Sequence, residues 1–344
     1  MAESTDSIGH PHSEASLRRR WLGQLALTAG FLALLAWRLD VGEALGLMAG
    51  ADLGWFAAAL GLAVLDRVWM IGKWLPLLAV QAPEIGRWRA ARSYLAAGFT
   101  NYFLPATLGS DALRAASLGR PHGAVAEVGA SIAAERMLGA AATALLVLLA
   151  LHLGLPEVVP LPGLSWLTLL AALGGVVAFL VPFHPRVQSW LGRHGSNRLA
   201  RLAKRFADAL LVYRKEGVLL GIVMALTVAE VFLPIGILWM LCFSLGVEVS
   251  LTALLVAVPI SMLIAKLPIS IAGIGPQEAS FVTLLSAYGV EPEAALALAI
   301  PNRLIDIAIA VPGAWALPEL WRDLRRRPEA PETLGARVRP SEAS

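Results

Sequence analysis

The sequence predicts an all-α polytopic membrane protein, with about six full transmembrane helices and two re-entrant hairpins in an inverted-repeat arrangement. Three observations support this fold class. The 344 residues are 57% hydrophobic and 15% charged, whereas soluble domains carry about 25% charged residues. Apolar segments long enough to cross a bilayer recur along the chain. Two further apolar regions, 93–108 and 251–289, are interrupted by proline and glycine.

Six apolar segments reach the roughly 20 residues that a helix needs to span a bilayer. They are 21–38, 54–80, 124–152, 164–183, 217–246 and 294–318. The first follows three arginines at 18–20, as the core of a secretory signal peptide would. Its apolar stretch is longer than such a core usually is, and no small-x-small cleavage site follows cleanly. We therefore interpret it as a retained first helix.

The distribution of lysine and arginine predicts the orientation. With the N-terminus inside, 22 of the 28 cations lie in inner segments, and Arg38 is the single cation of the outer segments. A cation bias of this kind marks the cytoplasmic side of a membrane protein. We expect an integral protein of the cytoplasmic (inner) membrane with both chain ends in the cytoplasm.

This orientation constrains the two interrupted regions. Region 93–108 is bounded by inner cations, so it must enter and leave on the inside. Region 251–289 lies between the outer acids Glu248 and Glu291, and Pro268 and Gly273 allow it to reverse. The segment order then repeats with opposite orientation, in halves of about 21–152 and 164–318. The alternative is ordinary helical pairs with proline kinks, in which 251–289 would cross twice.

The remaining segments are polar. We expect residues 1–20 to form a cytoplasmic tail, 21–320 the membrane domain, and 321–344 a disordered cytoplasmic tail, because its prolines and scattered charge disfavour a core. The interval 184–216 contains one amphipathic helix near 198–213. That helix either lies on the inner leaflet, favouring anionic lipid, or is an ordinary connector.

Charged side chains inside the apolar spans need partners or water. A charge at a helix centre costs about 2.5–3.5 kcal/mol on insertion scales. Arg303 and Asp306 share a helical face and are expected to pair locally. Glu135 and Arg136 are adjacent, so they should pair with other helices. Lys73, near the inner end of its span, is interpreted as a residue whose ammonium reaches the membrane surface.

An acid follows each interrupted turn, Asp111 in the first region and Glu278 in the second. Helix N-termini bind anions, and Arg114, Arg136 and Arg303 are expected nearby, so a phosphate head group could be held there. Paired, Gly/Pro-interrupted segments in two halves are typical of a transporter site. The alternatives are that both acids merely serve helix N-termini and that both later arginines form structural ion pairs.

Little in the sequence points to bond-making chemistry. The six histidines are scattered, Cys242 is the single cysteine, and no pair of these residues has the spacing of zinc ligands. No nucleotide-binding P-loop is present. We expect no catalytic residue, metal or cofactor. The net charge of +3 is explained by cations beside the spans, so no nucleic-acid partner is expected.

Three ordered motifs surround the hairpins. They are Asn101-x-x-Leu104-Pro105-x3-Gly109-Ser110-Asp111-x-x-Arg114, then Glu135-Arg136-x-x-Gly139, then Pro268-x-Ser270-x-x-Gly273-Ile274-Gly275-x-x-Glu278. Together they resemble the flippase-like family of lysylphosphatidylglycerol synthase transmembrane regions, and Arg303 fits the last helix of that family. Two departures stand out: Gly109-Ser110-Asp111 replaces the expected Gly-Gly-Asp or Gly-Glu, and Asn302 precedes Arg303.

The resemblance implies lipid handling. We expect a lipid translocase that moves or binds an anionic phospholipid or a polyprenyl-phosphate-linked lipid. The expected binding and translocation residues are Asn101, Pro105, Asp111, Arg114, Glu135, Arg136, Lys266, Ser270, Gly275, Glu278, Arg303 and Asp306.

Two other functions stay open. One is a non-catalytic membrane subunit of a lipid-synthesis system, such as a hopanoid or glycolipid pathway, with a synthesis enzyme as partner. The other is a membrane-embedded enzyme acting on lipid head groups. Family members with two activities carry a soluble aminoacyl-transfer domain after the membrane region, whereas about 24 residues follow the last span here. We therefore do not expect this chain to be an enzyme.

Overall fold

The computed structural model describes residues 11–103, 107–154, 198–265 and 270–325. All regular structure in these ranges is helical, so the predicted all-α class is confirmed. The predicted span 164–183, the tail beyond residue 325, Pro105 and Lys266 lie outside the described residues. The helices are α1 (Pro11–Arg38), α2 (Val41–Ala49), α3 (Leu53–Gln81), α4 (Arg87–Thr100), α5 (Thr107–Gly119), α6 (Val125–Gly154), α7 (Arg198–Val212), α8 (Gly217–Leu245), α9 (Leu251–Ala265), α10 (Pro276–Ala287), α11 (Pro292–Ala310) and α12 (Gly313–Arg325), with 3-10 turns at Tyr213–Lys215 and Ile271–Gly273.

Three of the described helices are long and apolar enough to cross a membrane: α3, α8 and the Val125–Leu149 part of α6. Two bent pairs qualify when each is taken as one span. These are α1–α2, bent by 83°, and α11–α12, bent by 47°. Five of the six predicted spans therefore correspond to described helices or helix pairs. The sequence folds as an integral membrane protein around the long pair α3 and α8, which pack together along their lengths.

The two interrupted regions form helical hairpins. Helices α4 and α5 have 14 and 13 residues and pack on each other, as do α9 and α10 with 15 and 12. At 1.5 Å per residue each helix is about 18–23 Å long, short of the ~30 Å hydrocarbon core. None of the four is long enough to cross a bilayer alone.

The turn of the second hairpin is held by α1. The backbone is strained there at Ala272, whose φ of 51° lies in a region that side chains disfavour, and glycine permits the φ of 93° at Gly275. A Cβ on Gly275 would lie 2.6 Å from the Cβ of Phe31 in α1. The Thr28 hydroxyl accepts a hydrogen bond from the Ile271 N–H at 3.2 Å. The first helix thus closes over this turn.

The first hairpin is covered by α12. A Cβ on Gly313 would lie 2.0 Å from the Leu95 carbonyl oxygen of α4, so glycine permits this close approach. Two ion pairs continue the contact along the helices: Arg89–Asp323 at 2.7 Å and Arg92–Glu319 at 2.8 Å. Helix α12 therefore lies directly on α4.

The amphipathic helix expected near 198–213 is confirmed as α7, and the apolar stripe of its second half packs on protein. Leu210 is buried, and the Phe206 ring lies 3.8 Å from where a Cβ on Gly129 of α6 would stand. The Tyr213 hydroxyl donates to the Leu77 carbonyl at 2.7 Å. These contacts favour the connector interpretation over a helix that lies on the leaflet through this stripe.

Candidate functional site

The centre of the α3–α8 pair is charged. Lys73 of α3 donates to Glu230 of α8, and these side chains are 4% and 12% exposed. The interpretation of Lys73 as a residue reaching the membrane surface is therefore wrong. Its position near a helix end suggested it, but the acid that neutralises it comes from the other half of the chain.

The first cluster joins the two helices that follow the first turn. Arg136 of α6 donates through Nε and Nη2 to the two carboxylate oxygens of Asp111 in α5, both at 2.9 Å. Because α5 begins at Thr107, Asp111 lies inside the helix, and its alternative interpretation as an N-cap is wrong. Arg136 is 47% exposed, so one edge of the guanidinium is accessible while the other is held by the acid.

A second ion pair lies behind the first. Arg114 Nη2 donates to Glu135 Oε2 at 2.9 Å, and the Tyr94 hydroxyl donates to Glu135 Oε1 at 3.2 Å. The Arg114 guanidinium lies 4.4 Å from the Trp74 ring and 4.6 Å from the Tyr94 ring. Both Arg114 and Glu135 are buried, so they support the wall of the site. The expectation that Glu135 and Arg136 pair with another helix is confirmed.

The second cluster joins α10 and α11. Arg303 Nε donates to Glu278 Oε1 at 2.6 Å, and its Nη2 donates to the Gln277 side-chain oxygen at 2.7 Å. Glu278 Oε2 accepts the Gly275 N–H at 2.7 Å, so this acid serves the helix N-terminus and the arginine together. The expected local pairing of Arg303 with Asp306 is wrong. Asp306 interacts with Arg303 electrostatically, while Glu278 is its hydrogen-bonded carboxylate.

The two clusters share one design. In each, a carboxylate in the second helix of a hairpin binds an arginine 25 residues later, in the helix that follows. They differ in access, since Arg136 is 47% exposed and Arg303 only 14%. Equal spacing places equivalent charge pairs on the two hairpins.

Each cluster borders a cavity. The first cavity, about 160 Å³, is lined by residues that include Arg67, Met70, Asn101, Asp111 and Arg136. The second, about 220 Å³, is lined by residues that include Asp66, Arg67, Met70, Glu278 and Asp306. Both are smaller than the roughly 300–1,000 Å³ pockets that enclose drug-sized ligands. Each therefore has room for a small polar group rather than for a drug-sized ligand.

Most other predicted site residues lie at these cavities or turns. Asn101 is the C-cap of α4 and lines the first cavity. Asp306 lines the second cavity. Gly275 is the N-cap of α10. Ser270 is buried just before the 3-10 turn, and its hydroxyl has no hydrogen-bond partner in the described part of the chain.

Asp66, Arg67 and Glu230 were not among the expected site residues, yet the structure brings them to the centre. One signal in the sequence could have identified the acids. Helices α3 and α8 each have 29 residues, and Asp66 and Glu230 each lie thirteen residues after the helix start. Equivalent acids at the middle of two long apolar helices indicate an interior role.

Residues 21–313 match the model of a family described as the lysylphosphatidylglycerol synthase TM region. With the helical fold, this match defines an integral membrane protein of a class linked to lipid metabolism. The chain belongs to that family, as its three motifs indicated. A search of curated proteins finds no match to the sequence.

Proposed function

We propose that this protein is a flippase-like lipid translocase, which moves the head group of an anionic phospholipid or a polyprenyl-phosphate-linked lipid across the cytoplasmic membrane. The observation that carries this proposal is the pair of arginine–carboxylate clusters, equally spaced on two short hairpins and each beside a cavity. The family supports lipid as the substrate class.

The charged groups suit a phosphate. A guanidinium presents donors in a planar fork that matches phosphate oxygens. At Arg136, Nε and Nη2 bind Asp111, which fixes the plane of the group and leaves Nη1 for a ligand. The acid also offsets the cost of a lone cation among apolar helices. Arginines, carboxylates and amides at the cavities suit binding and release, so the proposal assigns no covalent chemistry to this chain.

The proposed membrane arrangement follows from helix length and cation distribution. Hairpins α4–α5 and α9–α10 enter from opposite faces as re-entrant pairs, and the two halves form an inverted repeat. Both chain ends lie in the cytoplasm. The equal 25-residue spacing of the two charge pairs supports the repeat. Irregular backbone at the described part of the second turn is tolerable in a membrane because α1 packs against it.

Reconstituted protein tests this function. Fluorescent phosphatidylglycerol is placed in proteoliposomes, and its movement between leaflets is followed by the loss of fluorescence when dithionite is added outside. Asp111→Asn and Glu278→Gln keep side-chain shape and remove charge, so each should slow movement at least tenfold. Glu319→Gln removes an acid from the exposed pair with Arg92 and should stay within twofold of wild type.

The outcomes separate the alternatives. Wild-type rates in both the Asp111→Asn and Glu278→Gln proteins would refute the assignment of the site. If the wild-type protein moves neither phosphatidylglycerol nor a polyprenyl phosphate, translocation is refuted and a non-catalytic role beside a lipid-synthesis enzyme is favoured.

A further inference from the structure

Arg67 borders both cavities. It and Met70 are the two residues that line the first cavity and the second. They are three positions apart on α3 and so share one face of that helix. A single turn of α3 therefore forms the wall between the two clusters.

Among the described residues, no hydrogen-bonded partner holds the charge of Arg67. Its Nε has none in the described part of the chain, and it forms no ion pair with a carboxylate there. It interacts with Asp66 and Asp306 through space. Four other interior cations among the described residues are each held by an acid: Lys73 by Glu230, Arg114 by Glu135, Arg136 by Asp111 and Arg303 by Glu278. A partly buried guanidinium without such a partner is suited to an anionic ligand.

The surroundings of Arg67 give the side chain room to move. Gly98 of α4 lies beside it, and a Cβ on Gly98 would be 3.6 Å from Arg67 Nη1. Met70 is unbranched and adapts readily to irregular space. The guanidinium is therefore bounded by a glycine on the first hairpin and by a flexible side chain on its own helix.

A phosphate can enter the second cavity only with the charge of Arg67 beside it. Its lining carries three carboxylates, Asp66, Glu278 and Asp306, and Arg67 is the single cation among the lining residues of this described cavity. Glu278 is already paired with Arg303, so Asp66 and Asp306 are the acids that Arg67 must offset. In the first cavity Arg136 and Arg114 also contribute positive charge. A phosphate can thus occupy the first cavity without Arg67, whereas like-charge repulsion opposes its entry into the second unless Arg67 accompanies it.

We propose that Arg67 is a shared phosphate ligand, which binds the head-group phosphate in the first cavity and stays bound to it in the second. This inference rests on the proposed translocase function and specifies how the head group passes between the two clusters. Arg67 is then the residue that admits a phosphate to the acidic cavity.

Cysteine labelling tests each cavity separately. Cys242 is the chain's single cysteine, so Cys242→Ala gives a background without thiols. Ser110→Cys then reports on the first cavity and Ser261→Cys on the second. The rate of modification by a neutral methanethiosulfonate reagent is measured with and without short-chain phosphatidylglycerol. With Arg67 present, the lipid should slow labelling at least fivefold at both positions.

The Arg67→Gln variant should separate the two positions. Lipid should still protect the first-cavity cysteine but change labelling of the second-cavity cysteine by less than twofold. Arg67→Lys keeps the positive charge but lacks the planar N–H donors of a guanidinium, so protection of the second-cavity cysteine by lipid should fall about threefold. Arg92→Gln, which removes an exposed cation of α4, should leave both protections intact.

Several results would overturn the role of Arg67. One is that lipid protects neither position when Arg67 is present. Another is that, in the Arg67→Gln protein, lipid still protects both positions or protects neither. If Arg67→Gln does not fold, unchanged protection in Arg67→Lys would overturn it equally.

Translocation measurements distinguish this inference from the function on which it rests. Movement of lipid at the wild-type rate by Arg67→Gln would overturn the role of Arg67 and leave the translocase standing. If the wild-type protein moves no lipid but the cysteines show the expected labelling pattern, the translocase function is refuted. Arg67 is then still a shared ligand of both cavities.

Discussion

Breaking the buried ion pair between Arg114 and Glu135 should destabilise the fold far more than breaking an exposed pair of the same length. Arg114 and Glu135 approach to 2.9 Å, with side chains 2% and 5% exposed. Arg92 and Glu319 approach to 2.8 Å but are 60% and 42% exposed. The distances are alike, so burial is the variable that separates the two pairs.

The magnitude follows from what each substitution leaves behind. Arg114→Met leaves Glu135 buried without its counter-charge, which costs about 3–5 kcal/mol. Loss of the contacts with the Trp74 and Tyr94 rings adds about 1–2 kcal/mol. At about 1.4 kcal/mol per factor of ten, the folding equilibrium constant should fall by about 10³- to 10⁵-fold. Arg92→Met should cost about 0.2–1 kcal/mol.

The buried thiol of Cys242, which is 3% exposed, provides the assay. A thiol-reactive fluorophore labels it only when the protein unfolds, so a thermal ramp in detergent gives the midpoint of unfolding for each variant. Arg114→Met should lower the midpoint strongly and Arg92→Met by a few degrees at most. The double variant Arg114→Met/Glu135→Leu should recover much of the loss, because apolar replacements leave no uncompensated charge.

Two results would refute this reasoning. One is an Arg114→Met midpoint as close to wild type as that of Arg92→Met. The other is a double variant less stable than Arg114→Met alone.

Three further substitutions can be measured in the same assay. Gly313→Ala should cost about 1–3 kcal/mol of stability, because its Cβ would lie 2.0 Å from the Leu95 carbonyl oxygen. The control Gly139→Ala, at a helix position with no atom within 4 Å of the added Cβ, should be neutral or stabilising. Equal shifts of the unfolding midpoint in the two variants would contradict the steric argument. Tyr213→Phe removes the hydrogen bond to the buried Leu77 carbonyl and should cost about 1–3 kcal/mol. Burial raises the pKa of the Tyr213 phenol in the folded state. Above the ordinary pKa near 10, the unfolded state therefore loses this proton first, and the stability of the fold decreases as pH rises. If the Phe variant loses stability at alkaline pH as steeply as the wild type does, this contribution is contradicted.

The sequence was sufficient for the local features of the fold. Composition and segment length predicted helices at the right places, and the prolines and glycines marked the two turns. The adjacency of Glu135 and Arg136 predicted that their partners lie on another helix, as Asp111 and Arg114 of α5 confirm. These conclusions needed only helical periodicity and the cost of charge in an apolar setting.

Pairings across the two halves could not be read from the sequence. Lys73 and Glu230 are 157 residues apart, and nothing near Lys73 indicates an acid at that distance. The spacing of Arg303 and Asp306 favoured a local pair, but in the folded hairpin Glu278 lies beside Arg303 and accepts its hydrogen bond. Arg67 resembled any charge in a span until the structure placed it between two cavities. Tertiary packing determines the partner of Lys73, the partner of Arg303 and the position of Arg67, and residues close in sequence do not reveal it.

The bend between α11 and α12 lets one segment of the chain contact both hairpins. Helix α11 carries Arg303, which is bound to the second hairpin, and after a 47° bend α12 lies against α4 of the first hairpin. Contact at Gly313 is so close that α12 cannot slide toward Leu95 without displacing it. The second cluster's arginine and the helix that covers the first hairpin therefore belong to one bent helical segment, residues 292–325, which links the two hairpins directly.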